Sequence, residues 1–426
     1  MTRKRIAVTG MGVISPIGNT LGDFEAALQA GQSGIRKFEA LAELNFKCQV
    51  GGIPPGVESI ATSYFDEEER MAMNNCMTYA CIAAIDAWTD AGLELPERPS
   101  SDVLWDTGAV VGSGAGGVET LGSRVVPLTD AGQVKRLGSM CVEQIMSSNL
   151  SAKIGGLFGL GNQVTSNSSA CATGAEAIYM ATERIRNGKA QRMLAGGAEG
   201  VSRYIWSAFD AMRVLARKFN DRPSEASRPM SASAGGFVPS AGAGILVLEE
   251  LDSARERGAR IHAELLGGAV NSGGHRNGGS MTAPNASGVQ RCIVAALSDA
   301  GVDGGEIDAI SGHLTGTFAD PVEVVNWSRS LGRPAEDLPW ITAPKSIFGH
   351  ALGAAGAIET VAAILMLRGG YVHPSCNCED LHPEVEPYAD SVAHELKEVP
   401  DMRTVIKSGF GFGDVNCSLV FRNWSN

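Results

Sequence analysis

The feature that most constrains the fold of this chain is a regular alternation of short apolar runs with longer helical patterns. The apolar runs predict buried strands at 6–8, 107–111, 192–194 and 244–248. Helical periodicity is found at 73–91, 171–186, 289–300, 321–331 and 354–367. Alternation of this kind predicts an α/β fold whose sheets are covered by helices. An apolar strand gives way to a charged stretch after Leu251, which predicts two α/β halves, 1–251 and 252–426.

The composition argues against several classes of function. A net charge of −12 argues against general nucleic-acid binding, and it requires any acidic partner to dock on a local basic patch. No apolar run is long enough to predict a membrane span. The basic first five residues precede an apolar run too short for a signal peptide, so we expect a cytoplasmic protein. Nine cysteines without regular spacing argue against a disulfide framework.

Cys171 lies in Ser-Ser-Ala-Cys-Ala-Thr-Gly, residues 168–174, where a strand-like stretch turns into a helix-like one. Unpaired backbone N–H groups and the helix dipole at such a position favour the thiolate, which is the nucleophilic form of cysteine. The alternative is a buried cysteine that acts as a small hydrophobic residue. The small residues around Cys171, together with the histidine loops downstream, favour a catalytic cysteine.

Two histidines lie in Gly-rich loops that follow strand-like runs and precede helices. His313 lies in Ser-Gly-His-Leu-Thr-Gly-Thr, and His350 lies in Phe-Gly-His-Ala-Leu-Gly-Ala-Ala-Gly. In α/β sheets ligands gather at the carboxyl ends of strands, so these positions favour catalysis. The remaining histidines lack this setting and are interpreted as surface or structural groups: His262, His275, His373, His382 and His394.

Two acidic positions in the second half need an explanation. Glu359 falls in a helix so apolar that the carboxylate is expected to be buried, and a buried carboxylate needs a partner, for which Lys345 is the candidate. An exposed stripe on that helix is the alternative. Asp320 precedes a proline and is followed by Glu323, a pattern typical of a helix N-cap with a capping box.

The Gly-rich run Gly-Phe-Gly-Phe-Gly-Asp-Val-Asn, residues 409–416, is typical of a loop that changes conformation or passes close to a ligand. Phe410 is then a candidate gate of an apolar tunnel, with ordinary turn-and-core use as the alternative. Residues 112–117 match G-x-G-x-x-G, but no acid ends a second strand, so nicotinamide binding is the weaker interpretation. The cluster of His373, Cys376 and Cys378 lacks a fourth ligand, and no metal site is predicted.

Four blocks occur in a fixed order: S-S-A-C-A-T-G with Cys171, H-L-T-G-T with His313, P-K-S-I-F-G-H-A-L-G-A-A-G with Lys345 and His350, and G-F-G-F-G-D-V-N. Together they resemble the β-ketoacyl-acyl-carrier-protein synthases of the I/II type, over essentially the whole chain. The resemblance implies a thiolase fold, with two similar α/β halves in a five-layer α-β-α-β-α arrangement, and a homodimer.

The resemblance also implies a reaction. Cys171 would take an acyl chain as a thioester, and a malonyl group on the 4'-phosphopantetheine arm of an acyl carrier protein would lose carbon dioxide and attack it. His313 and His350 would stabilise the enolate. Lys345 and Glu359 would hold the loops by an ion pair. No permanently bound cofactor and no metal ion are implied.

Further roles follow from the same resemblance. The backbone N–H groups of Cys171 and Phe412 would form the oxyanion hole. Thr315 and Thr317 match the threonines that bind the phosphopantetheine arm. Phe410 matches the gating phenylalanine.

The chain departs from the family pattern in three places. The histidine block reads H-L-T-G-T where the family has H-G-T-S-T, and residues 231–235 lack the charges of a buried ion network. The stretch at 66–69 is acidic where the family places basic residues for carrier docking. Substitute docking candidates are Lys135 and Arg136, or Arg213, Arg217 and Lys218. These departures indicate a divergent member that serves a polyene or polyketide-like pathway.

Two alternatives stay open. A thiolase acting on coenzyme A thioesters needs a second catalytic cysteine in the C-terminal Gly-rich loop, and here Cys417 comes only after Asn416. A non-catalytic chain-length partner of a heterodimeric synthase lacks the nucleophile, whereas Cys171 is present.

Overall fold

A computed structural model of the chain describes residues 3–98 and 100–424, and its backbone is organised around one large sheet. The strands are β1 (Ile6–Ile14), β2 (Ile35–Lys37), β3 (Val50–Gly52), β4 (Thr107–Gly112), β5 (Val164–Thr165), β6 (Arg192–Glu199), β7 (Gly242–Glu250), β8 (Ala263–Ser272), β9 (Ala309–Ser311), β10 (Trp340–Thr342), β11 (Tyr371–Val372), β12 (Lys397–Glu398), β13 (Thr404–Gly411) and β14 (Val415–Asn423).

The sheet repeats one strand pattern twice. Its order is β10-β9-β13-β14-β8-β1-β7-β6-β4-β5. From β5 inward the pairs are parallel, parallel, antiparallel and antiparallel, and from β10 inward the same sequence recurs. The two patterns meet where β1 pairs with β8 through Ile6, Ala7 and Val8. The predicted α/β class is therefore confirmed, as two halves with the same topology.

Helices cover both halves of the sheet. They are α1 (Leu21–Gln29), α2 (Glu39–Glu43), α3 (Val57–Ala61), α4 (Glu67–Met71), α5 (Asn75–Asp90), α6 (Val118–Thr120), α7 (Val126–Asp130), α8 (Met140–Ile145), α9 (Asn149–Phe158), α10 (Thr173–Arg186), α11 (Arg203–Ala211), α12 (Leu251–Glu256), α13 (Ala286–Ala300), α14 (Asp320–Leu331), α15 (Lys345–Phe348) and α16 (Ala355–Gly369). A π-helical turn, Leu121–Val125, joins α6 to α7.

The helices and the two halves of the sheet form five layers. Helices α5 and α9 pack on the strands of the first half, and α13 and α14 pack outside the second half. Helices α10 and α16 contact each other and lie between the halves, α10 against β6 and α16 against both β7 and β13. This is the α-β-α-β-α arrangement that the family resemblance implies.

Helix α16 is the most deeply buried of the long helices described. The stretch Leu352–Gly369 has the length and hydropathy of a membrane span, contrary to the expectation from composition, but 89% of it is buried inside the fold. Gly244 on β7 permits its close approach, because a Cβ there would lie 2.6 Å from backbone atoms of Ala357. The helix is therefore the centre of the core.

The same turn precedes both central helices. A 3-10 turn, Ala170–Ala172, leads into α10, and a second 3-10 turn, Leu352–Ala354, leads into α16. The first residue of each turn has a positive φ, 48° at Ala170 and 48° at Leu352. The duplicated backbone therefore brings two strained turns, one carrying Cys171 and one next to His350, to the same region between the halves.

Two glycines, one at the contact of β1 with α5 and one on α9, give a stability prediction. A Cβ at Gly12 would lie 1.9 Å from the carbonyl oxygen of Ala83, so Gly12→Ala is expected to lower the free energy of unfolding by about 1–3 kcal/mol. Gly156 on α9 has no neighbour within 4 Å of such a Cβ, so Gly156→Ala is expected to raise it by about 0.5–1 kcal/mol. Denaturant unfolding of both variants measures the difference, and equal effects would contradict this packing.

Candidate active site

A cavity of about 610 Å³ opens between the two halves and reaches Cys171. Its walls come from both halves of the chain: Cys171 and Phe237 from the first, and His313, His350 and Phe410 from the second. Apolar and small side chains line most of the remainder. Such a lining, with a few convergent polar groups, is typical of a ligand site.

Cys171 is held by a tightly bonded turn. The backbone N–H of Ser169 donates to Thr173 Oγ1 at 2.8 Å, and the same hydroxyl donates to the carbonyl of Ala170 at 2.7 Å. Gly411 closes over the turn, since a Cβ there would lie 2.7 Å from the carbonyl oxygen of Ser169. Cys171, a partly exposed residue, is thereby fixed in the wall of the cavity.

Both predicted histidines meet at the thiol. His350 Nε2 lies 3.2 Å from Cys171 Sγ. The rings of His313 and His350 are 5.3 Å apart and nearly perpendicular, and one ligand atom from each of the three residues lies within 4.8 Å of the others. The sequence-predicted trio therefore surrounds one point, close enough to contact a common substrate atom.

The hydrogen bonds of the rings decide which nitrogen carries the proton. The backbone N–H of Leu352 donates to Nδ1 of His350 at 3.2 Å. The Lys345 ammonium lies 3.3 Å from Nδ1 of His313 and donates to the backbone carbonyl oxygen of His313 at 2.6 Å. Because both Nδ1 atoms face donors, each neutral ring carries its proton on Nε2. Two N–H donors therefore point into the cavity.

The surroundings keep both rings uncharged. Burial, reinforced by the positive charge of Lys345, holds the pKa of His313 well below its ordinary value. Burial, then the charges of Lys345 and Lys407, does the same for the pKa of His350. At neutral pH both imidazoles are therefore neutral hydrogen-bond donors.

The thiolate expected at Cys171 is not the resting form. Burial raises the pKa of the thiol to about 12, although the charge of Lys345 and the backbone N–H of Phe412 act in the opposite direction. Cys171 also sits in a 3-10 turn ahead of α10, not in the first turn of the α-helix itself. The cost of desolvating the thiolate therefore outweighs the stabilisation by the helix dipole that the sequence predicts.

Cys171, His313 and His350 also offer three possible metal ligands. A metal-bound neutral imidazole coordinating through Nε2 needs its proton on Nδ1 and an acceptor for that proton. Here Nδ1 of both rings faces a donor, the Leu352 N–H or the Lys345 ammonium. The hydrogen bonds around the rings therefore suit donation to an anion, not coordination of a metal ion.

The buried carboxylate of Glu359 has two partners. The predicted pair with Lys345 forms through Oε1, while Oε2 lies 2.8 Å from Nζ of Lys407. All three side chains are almost fully buried. Lys407 was missed by the sequence analysis, because a single lysine in the strand-like run Val-Ile-Lys-Ser gives no local signal.

The prediction that Asp320 caps its own helix is wrong. Helix α14 begins at Asp320, its N-cap is Ala319, and no side chain caps it. Asp320 instead accepts hydrogen bonds from the backbone N–H groups of Thr315 and Gly316, and Glu323 accepts from those of His313 and Leu314. The two acids therefore hold the histidine loop.

The remaining predicted residues also line the cavity. Thr315 and Thr317 lie side by side, with their hydroxyl oxygens 3.0 Å apart. The ring of Phe410 stands 6.0 Å from that of His313. The backbone N–H of Phe412 faces the Cys171 sulfur. The loop at 409–413 therefore covers the thiol from the second half.

The loop at 231–235 carries no charge, but the expected loss of an ion network is only partly correct. Arg228 is buried and pairs with Glu379 and Asp380, each at 2.9 Å. Asp380 in turn accepts hydrogen bonds from the Ser231 hydroxyl and from the backbone N–H of Ser233. Charges outside the loop thus fix it, and small residues face the cavity.

The glycine run at 112–117 does not present a free phosphate cradle. The backbone N–H groups of Gly114 and Ala115 donate to the buried carboxylate of Glu199 at 2.9 and 3.2 Å. An internal anion thus occupies the donors that a nucleotide would need. Among the histidines interpreted as structural, His262 and His373 are buried, whereas His382 lines the cavity.

Comparison with known proteins identifies the family. The model described as "Beta-ketoacyl synthase, N-terminal domain" matches residues 3–254, and the model of the corresponding C-terminal domain matches residues 262–379. The 3-oxoacyl-[acyl-carrier-protein] synthase 2 of Vibrio cholerae is 34% identical over 426 residues, covering 99% of this chain and 100% of that protein. Synthase 1 of Escherichia coli K12 is 34% identical over 419 residues, covering 98% and 99%.

Solved structures agree. A chain from the complex of a type II polyketide acyl-carrier protein with its hexaketide-bound ketosynthase superposes with a TM-score of 0.87 at 29% identity, over 99% of this chain and 100% of that one. The ishigamide ketosynthase/chain length factor gives a TM-score of 0.88 at 30% identity, over 100% of both chains. The chain therefore belongs to the β-ketoacyl synthase family of condensing acyltransferases.

Proposed function

We propose that this chain condenses a malonyl group on an acyl carrier protein with an acyl chain held on Cys171. One observation carries the proposal: two neutral imidazole N–H donors and a thiol converge in one cavity, with His350 Nε2 3.2 Å from Cys171 Sγ. A nucleophile beside donors for a developing oxyanion is what acyl transfer and decarboxylation both require.

The first step transfers the acyl chain. Cys171 Sγ attacks the acyl carbonyl carbon, the carbon–sulfur bond to the carrier's pantetheine breaks, and the thiol proton ends on the released pantetheine sulfur. The backbone N–H groups of Cys171 and Phe412 are the proposed oxyanion hole. The Phe412 N–H supports this role because it faces the sulfur.

The second step makes the carbon–carbon bond. The bond from the malonyl α-carbon to its carboxylate breaks, carbon dioxide leaves, and the electron pair becomes an enolate whose oxygen accepts from Nε2–H of His313 and His350. The α-carbon then attacks the carbonyl carbon of the Cys171 thioester, the carbon–sulfur bond to Cys171 breaks, and the released sulfur takes up a proton from solvent. The product is a β-ketoacyl chain two carbons longer on the carrier protein.

The pantetheine arm would enter along the cavity wall that Thr315 and Thr317 form, with Phe410 as the gate. For the acidic carrier protein we favour the patch of Arg213, Arg217 and Lys218 over the pair of Lys135 and Arg136. Arg213 lines the cavity itself, whereas the pair lies on an exposed turn outside the residues that line the cavity.

The proposal includes a homodimer in the cytoplasm. Exposed apolar side chains cluster on the segment from α6 to α8, and such a patch fits a second copy of the chain: Leu121, Val126, Val134 and Val142. Nine free cysteines fit a reducing compartment. We also propose the division of the chain into 1–251 and 252–426, which the repeated strand order supports.

The pathway is proposed as fatty acid biosynthesis or a related polyene or polyketide-like route. The uncharged, small-residue wall at Ala232, Ala234 and Gly235 leaves room in the cavity for a bulky or rigid chain. A panel of acyl-carrier substrates that differ in length and unsaturation separates these routes by relative rates.

Acylation of Cys171 is the first test. Incubation with acyl-carrier protein is expected to add one acyl mass to the peptide that contains Cys171, and Cys171→Ala is expected to abolish both the adduct and condensation. Intact and peptide mass spectrometry measures the adduct. Cys376→Ala, which removes a thiol outside the cavity, is the control and should acylate normally. Acylation of another cysteine, or of none, would reject the proposal.

His350 separates the two steps. His350→Ala is expected to retain measurable acylation of Cys171 but to slow malonyl decarboxylation by about a hundredfold to a thousandfold, as for loss of one oxyanion donor. Release of labelled carbon dioxide from malonyl-carrier protein measures the effect. Decarboxylation at the normal rate in this variant would show that the ring has another role.

Glu323 tests how the histidine loop is held. Glu323→Gln places an amide N–H against a backbone donor, because both carboxylate oxygens accept from His313 and Leu314. The expected loss of unfolding free energy is about 1–3 kcal/mol, with decarboxylation slowed more than acylation. Denaturant unfolding and the two rates measure this, and equal slowing of both steps would contradict a specific role for the loop.

A further inference from the structure

Lys407 is a buried cation that the reaction described above does not use. It lies in the middle of β13, paired in parallel register with Ser311 of β9 and in antiparallel register with Leu419 of β14. Its side chain is fully buried. An ammonium group in the centre of a sheet is costly to desolvate, so its presence calls for a specific partner or a specific use.

The ion pair with Glu359 does not by itself explain why a lysine is buried at position 407. Its ammonium lies 2.8 Å from Oε2 of Glu359 and donates to the carbonyl oxygen of Ser408. Glu359 is already paired through Oε1 with Lys345, which also holds the His313 loop. One lysine is enough to neutralise one carboxylate. Burial lowers the pKa of the Lys407 amine, while the Glu359 carboxylate acts in the opposite direction. With both lysines protonated, two ammonium groups and one carboxylate give this buried cluster a net charge of +1.

The groups around the cluster do not remove that charge through direct contact. Glu323 is a further acid whose charge acts on Lys407. Its oxygens accept from the backbone N–H groups of the His313 loop and from the Trp327 indole. Burial, followed by repulsion from Asp320, raises the pKa of Glu323 to about 7, so its negative charge is incomplete at neutral pH. Among the residues that the structure describes, the titratable groups found to interact electrostatically with Lys407 are Glu323, Lys345, Glu359, Cys417, His313 and His350.

The positive charge faces the reacting groups. Lys345 connects the cluster directly to His313, and its charge, like that of Lys407, opposes protonation of both imidazoles. In the proposed condensation negative charge appears twice in this cavity, on the enolate oxygen and on the sulfur released from the thioester. A fixed cation stabilises such charge more strongly in a poorly solvated site than the same cation would in water.

We propose that Lys407 is a positioning residue of the condensation reaction, whose ammonium, linked through Glu359 to Lys345, supplies the net positive charge beneath Cys171, His313 and His350. This inference rests on the proposed function, since it assigns a role within that reaction. Lys407 does not touch the substrate and acts through the two neighbours that hold the histidine loop and the central helix.

The test compares two variants with different net charge. Lys407→Met replaces the ammonium group with an apolar side chain one atom shorter and leaves one lysine with one carboxylate, a net charge of zero. The double variant Lys407→Met/Glu359→Gln leaves Lys345 alone and restores a net charge of +1. Lys397→Met, which removes a partly exposed lysine that pairs with Glu395 outside the cavity lining, is the matched control. Each is assayed as the full chain for Cys171 acylation, malonyl decarboxylation and condensation across pH.

For Lys407→Met we expect decarboxylation to slow by roughly tenfold to a hundredfold, less than the loss of a direct oxyanion donor. The acid limb of its pH–rate profile should move to higher pH. The sign follows because a nearby cation lowers the pKa of an imidazole, and its removal lets that pKa rise. Once Nδ1 is protonated, its N–H faces another donor, the Leu352 N–H at His350 or the Lys345 ammonium at His313. The repulsion between the two donors rotates the ring. The double variant should recover part of the rate and return the acid limb toward its original position.

Several outcomes would overturn the inference. An unchanged rate and pH profile in Lys407→Met, or a double variant slower than the single one with no return of the acid limb, would show that the charge is not used. Loss of cooperative unfolding in both variants would make Lys407 a structural residue. A wild-type chain that neither acylates Cys171 nor decarboxylates malonyl-carrier protein would instead reject the proposed function.

Discussion

The site depends on the burial of charge beside the thiol. Lys345 reaches the Glu359 carboxylate, the carbonyl of His313 and Nδ1 of the His313 ring, and so joins helix α16 to the loop after β9. Without Lys345, the His313 ring would lose the donor that sets its tautomer, and Glu359 would keep only Lys407 as a partner. The same cation discourages protonation of both histidines and favours anions in the cavity. One buried ammonium therefore fixes geometry and electrostatics together.

Much of the fold and the three residues that meet in the candidate site can be predicted from the sequence because their signals are local. A cysteine or histidine in a short Gly-rich loop between a strand and a helix is visible in a dozen residues, and Cys171, His313 and His350 all meet at the cavity. Lys407 could not be predicted, because what makes it unusual is its burial against a carboxylate on another element. Strand context alone does not distinguish a buried lysine from one at a sheet edge.

The predictions for Asp320 and Cys171 are wrong for the same physical reason. In both places tertiary contacts change the partners or the solvation that the local sequence predicts. Asp320 and Glu323 form a capping pattern, yet their oxygens bond the preceding loop because that loop folds back over the start of α14. Cys171 follows a helix-start pattern, yet burial outweighs the dipole and keeps the thiol protonated. A sequence pattern shows which polar groups are present at a position. The packing of the folded chain determines which partners these groups bond and how far they are solvated.

The duplicated topology explains why these groups converge at all. Each half ends a parallel strand, turns through a residue with φ near 48°, and starts a central helix, and α10 and α16 pack against each other. The turn of the first half presents the Cys171 thiol, whereas the turn of the second half is surrounded by cations and imidazoles. Because the two sets come from different halves, the thiol and the imidazole donors meet in one cavity without sharing a turn. This division is what lets one cavity hold an acyl chain and then generate the carbanion that attacks it.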